Sequence, residues 1–85
     1  MGNKLTERNA RLRKQRVKWR HEVDLVEGYW KDCADEDRKD MRSELRHQLP
    51  VLEAEIEASN VDDFTKAELK TRLGALMREI SEAPG

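Results

Sequence analysis

The sequence predicts an all-α protein. Three amphipathic helices, at about residues 6–32, 36–58 and 65–82, should pack as a small helical bundle or an extended helical hairpin and associate as a dimer. Three observations carry this. Two prolines and four glycines leave few breakers in 85 residues. Ala, Leu, Glu, Lys and Arg dominate, and strand formers are sparse. Apolar residues recur at intervals of three, four and seven almost throughout. The length allows one domain. No internal repeat or low-complexity segment is visible.

Thr6 is a suitable cap for the first helix, and Glu7 suits the positive end of its dipole. Leu5, Leu12, Trp19, Val26 and Cys33 are spaced by sevens, and Val23 and Trp30 supply a second seam position. The matching positions nearer the start are Asn9 and Arg16, so the seam is strong only from Trp19 onward. Gly28 interrupts at a cost of about 1 kcal/mol relative to Ala. A small core leaves little surplus stability. Leu12, Trp19, Val23, Val26 and Trp30 are therefore the expected self-association surface.

The chain breaks at 32–35, where Asp35 is the expected cap of the second helix. Met41, Leu45, Leu49, Leu52 and Ile56 form its stripe. The stripe keeps its phase across Pro50, which predicts one helix kinked there rather than two helices. Residues 59–63 connect to the third helix. Thr65 with Glu68 fits a capping box, and Phe64 with Leu69 fits a hydrophobic staple. Leu69, Leu73, Leu76, Met77 and Ile80 lie on its inner face, and Pro84 and Gly85 follow its end.

Charge divides the chain into an arm and a body. The formal net charge of −1 conceals residues 1–20, with eight Lys/Arg against one acid (+7), and residues 21–85, with nine bases against seventeen acids (−8). The domain thus reads as a basic N-terminal helical arm, about 1–20, on an acidic helical body, 21–85. Lys4, Arg11 and Lys18 flank the seam on one side, and Arg13, Arg16 and Arg20 on the other. A helix so charged suits a nucleic-acid groove, where each base neutralises a phosphate and releases counterions. Arg11, Arg13, Lys14, Arg16, Lys18 and Arg20 are the expected contacts, with Trp19 as a possible stacking face. The competing expectation is an acidic protein surface met by residues 4–20, with Trp19 in the core.

The stretch from Asn9 to Arg20, NARLRKQRVKWR, resembles the arginine-rich RNA-binding helices of phage N antiterminators and lentiviral Rev proteins. That resemblance covers about twelve residues. It implies RNA contact through the arginines of this stretch, and nothing about the remainder of the chain. The size and composition also suit a small regulator of phage or mobile-element type.

Other chemistry is thin. Met1–Thr6 fits an N-myristoylation pattern with Gly2 as acceptor, against the plainer reading of an ordinary start; a membrane role is the third expectation. Cys33 continues the apolar seam and reads as an inert thiol. His21 and His47 are isolated. Asp32, Asp35, Glu36, Asp37 and Asp40 read as capping and solvated acids rather than a cation site, and Glu53, Glu55 and Glu57 as a solvated face. No phosphate loop, HExxH or CxxC motif occurs. The sequence therefore predicts a cytoplasmic non-enzyme without cofactor, metal or small-molecule substrate, and no spanning segment.

Overall fold

The computed structural model describes residues 4–82, and for 4–6, 8 and 9 the backbone alone. Gly2 lies outside the described residues, as do the side chains of Lys4, Leu5, Thr6 and Asn9. The chain is all-helical: α1 Lys4–Lys31, a short 3-10 turn Asp35–Asp37, α2 Arg38–Ala58 and α3 Asp63–Glu82. The shape is elongated, 58 × 19 × 16 Å. Each helix packs on the other two. Ion pairs set their directions. Arg16 meets Asp62, Arg20 meets Glu68, and Asp24 and Glu27 meet Arg72, so α1 and α3 run parallel. The α2–α3 connection is short and reverses the chain, and Lys70 bridges it to Glu57 at 3.1 Å.

The apolar stripes meet in one core. Trp19, Val23, Val26 and Trp30 come from α1, Leu45, Leu49, Leu52 and Ile56 from α2, and Leu69, Leu73, Leu76 and Ile80 from α3. Met41 and Met77 pack at its edge, and Val61 joins it from the connection. The α2 and α3 stripes thus fall where their spacing predicts. The four α1 residues expected to bind a second copy correct that expectation: the chain's own core covers them, because α2 and α3 supply the apolar faces that a dimer was expected to provide. Of that set only Leu12 remains half-exposed.

The helix ends differ from expectation in instructive ways. α1 begins before Thr6, which is therefore an interior residue rather than the cap. Asp35 does not cap α2; it opens the 3-10 turn, and neither Ala34 nor Asp37 makes a side-chain capping bond. α2 continues unbroken through Pro50, which is exposed. Its end is closed by Ser59, whose hydroxyl donates to the Ile56 carbonyl at 2.5 Å. At α3 the cap is Asp62, not Thr65. Its carboxylate accepts the Thr65 backbone N–H at 3.1 Å and the Thr65 hydroxyl at 2.8 Å. Thr65 is buried, and Phe64 is 77% exposed, so no staple to Leu69 forms. Val61, just before the cap, is buried instead.

Gly74 lies on the exposed side of α3, and a Cβ built there meets nothing within 4 Å. Gly74→Ala should stabilise the chain by about 0.5–1 kcal/mol, because alanine loses less backbone entropy in a helix. Thermal unfolding followed by circular dichroism checks this, and an unchanged or lowered midpoint would contradict it.

Candidate nucleic-acid interface

The basic helix is longer than the body it rests on. At 1.5 Å per residue, α1 is about 42 Å long, whereas α2 and α3 are each about 30 Å. Toward its N-terminus the last core side chain is Trp19 and the last ion pair is Arg16 with Asp62, among the described residues. The first dozen residues of α1 therefore overhang the α2–α3 connection. Their polar sequence explains why: Arg11, Arg13 and Lys14 offer nothing for a core to bury.

The six expected contacts separate into two groups. Arg11, Arg13 and Lys14 are exposed and make no ion pair among the described residues. Lys18 is exposed too, with its ammonium 4.7 Å from the Trp19 ring centroid. Arg16 and Arg20 face the body instead. Arg16 Nε donates to Asp62 at 2.8 Å, and the Arg20 guanidinium donates to Glu68 at 3.0 Å. These half-exposed pairs, like Arg72 with Asp24 and Glu27, form a ladder between α1 and α3 whose polarity reverses halfway. Arg72 is held more firmly protonated than a free arginine by its hydrogen bonds to Glu27 first and Asp24 second. No local sequence pattern reveals the ladder, because its partners lie 45–48 residues apart.

Trp19 offers no stacking face. It is 7% exposed, inside the core. Near the start of the overhang, Arg11, Leu12, Lys14, Gln15 and Asn60 line an open hollow of about 490 Å³. Two cations and two side-chain amides there supply hydrogen-bond donors of the kind a phosphate oxygen accepts, and no carboxylate lines it.

Asp62 joins arm and body. The hydrogen bond from the Thr65 hydroxyl is the largest influence on its pKa, which falls from 3.8 to about 2; burial opposes it, and the bonds from the Thr65 backbone N–H and from Arg16 add to it. A carboxylate whose pKa falls on folding contributes stability above its unfolded value, and that contribution is lost as pH falls from about 4 toward 2. Asp62→Ala should therefore be less stable than the parent at neutral pH, with the gap narrowing below pH 4. Acid titration of the two chains checks this; a gap independent of pH would contradict it.

Among the described residues no group of three or more His, Cys, Asp or Glu side chains is placed to hold a metal ion. No described helix is long and apolar enough to cross a membrane. Cys33 is unpaired and half-buried, its thiol 3.4 Å from the Ala34 carbonyl. The fold and the overhanging helix define a three-helix protein with a basic arm. The chain matches no protein-family model and is similar to no curated protein and no solved structure.

Proposed function

We propose that the chain is a small, non-enzymatic nucleic-acid-binding regulator, of phage or mobile-element type, that lays its basic arm along a phosphate backbone. The observation that carries this reading is the exposure of Arg11, Arg13, Lys14 and Lys18 on one helical stretch, three of them on the overhang beyond the body. Four exposed cations within eight residues concentrate positive charge on one short stretch, and the acidic body keeps the rest of the molecule away from a polyanion. The resemblance of residues 9–20 to arginine-rich RNA-binding helices favours RNA over DNA as the ligand. Arg16 and Arg20 contribute after releasing Asp62 and Glu68, so their share is smaller.

Self-association belongs to this reading, because a small core leaves little surplus stability and the basic arm complements the acidic body. A bend at Pro50, where the ring displaces the carbonyl four residues before it, belongs to it as well. The reading places the protein in the reducing cytoplasm, where a single cysteine stays unpaired. A protein adaptor without nucleic acid is the second reading. It is favoured by the way Arg16 and Arg20 already hold carboxylates at the cap and in the first turns of α3.

Fluorescence anisotropy against mixed RNA and DNA oligonucleotides at about 50 and 200 mM salt separates the two. Micromolar binding that falls by orders of magnitude at the higher salt is expected. No binding at either salt would overturn the nucleic-acid reading and leave the adaptor.

A further inference from the structure

The bundle has a side that its own helices leave open. Between α1 and α2 runs a groove made of two adjoining hollows, of about 310 and 370 Å³, which share Gln48. Val26 and Leu52 reach its floor, and its flanks carry Tyr29 and Val51, which are 51% and 57% exposed. Half-exposed apolar side chains of this size, on a helical groove, mark a surface suited to another helix. The charges beside them have one sign. Glu22, Glu44 and Glu55 line the groove, and no lysine or arginine does.

The same chain carries the complement. The overhang of α1 presents Arg11 and Lys14 beside Leu12, which no core covers fully. Within one molecule the arm cannot fold back onto the groove, because it is continuous with the α1 wall of that groove. In a second copy no such restriction holds. Arg11 and Lys14 are three residues apart and so share one face of α1, where they complement the carboxylates that line the groove. We propose that the α1–α2 groove receives the basic arm of a second copy, and that the exchange is reciprocal. Reciprocity closes the contact into a two-fold pair and joins the +7 segment of each chain to the −8 segment of the other. This also locates the dimer surface away from Trp19, Val23 and Trp30, which remain in the core, while Val26, a core residue too, only reaches the groove floor. The inference rests on the self-association part of the proposed function and not on nucleic-acid contact.

Sedimentation velocity of the full chain at about 50 mM salt, from low micromolar to submillimolar concentration, tests it with two charge reversals. One reverses the groove (Glu44→Lys with Glu55→Lys) and the other the arm (Arg11→Glu with Lys14→Glu). All four side chains are exposed, and circular dichroism verifies that each variant stays helical. The parent should pass from monomer to dimer, and each variant alone should associate at least tenfold more weakly. An equimolar mixture of the two variants should dimerise again, because each reversed arm then meets a reversed groove. A parent that stays monomeric throughout, a dimer indifferent to both reversals, or a mixture that fails to associate would each overturn the proposal. Oligonucleotide binding distinguishes this from the function itself: the groove variant keeps its arm and should bind the oligonucleotide, whatever its state of association.

Discussion

Replacing Arg11, Arg13 and Lys14 together by glutamine should leave the protein folded and remove most of its affinity for nucleic acid. None of the three is buried or ion-paired among the described residues, and glutamine is a good helix former, so α1 should persist. Each phosphate contact contributes about 0.7 to the slope of log K against log salt for single strands and about 0.9 for B-DNA. Losing three should lower that slope by about 2–3 and weaken binding at 0.1 M salt by about 100-fold or more. Arg16→Gln and Arg20→Gln form the informative contrast. Each also frees a carboxylate on the body, so it should alter stability slightly and weaken binding less than the triple change. Anisotropy titrations at several salt concentrations measure both effects. An unchanged slope in the triple variant would place the binding surface elsewhere.

Trp30→Ala should be close to unfolding the chain. Trp30 is 2% exposed, the largest of the most deeply buried side chains, and Arg38 stacks over its ring at 4.6 Å. Truncating a buried tryptophan costs about 3–5 kcal/mol through lost transfer free energy and the cavity left behind. A domain of this length has a total stability of about 4–13 kcal/mol. At roughly 4–8 °C per kcal/mol the melting point should fall by about 12–40 °C. Tyr29, its neighbour in sequence, is half-exposed, and Tyr29→Ala should lower it by only a few degrees. Thermal circular dichroism of both variants gives the comparison. Equal effects would mean that α1 does not present the face described.

Much of this fold is legible in residue spacing, and the reason is visible in α2 and α3. Leu45, Leu49, Leu52 and Ile56 recur at helical intervals on an otherwise polar background, so spacing alone assigns them to the core, and they are buried there. The same holds for Leu69, Leu73, Leu76 and Ile80. The first helix was harder, because a seam of Trp19, Val23, Val26 and Trp30 serves equally for a dimer or for two helices of the same chain. Only the packing decides between them. Local capping misled for a related reason. Asp62 and Thr65 both precede suitable partners, and which is the cap depends on Val61 and Thr65 turning inward, a tertiary fact. The bases of the arm were legible as a group. That Arg16 and Arg20 are held by Asp62 and Glu68, while Arg11, Arg13 and Lys14 are not, follows from the parallel alignment of α1 with α3, which no local pattern encodes.

The most direct test of the central claim is to map the contact surface residue by residue. Amide resonances of the isotopically labelled protein, followed while a short RNA or DNA oligonucleotide is added at low salt, report where it binds. Shifts concentrated on residues 8–20, with the core and the outer faces of α2 and α3 unmoved, are the expected result. No shifts at saturating oligonucleotide, or shifts centred on the acidic body, would contradict the account.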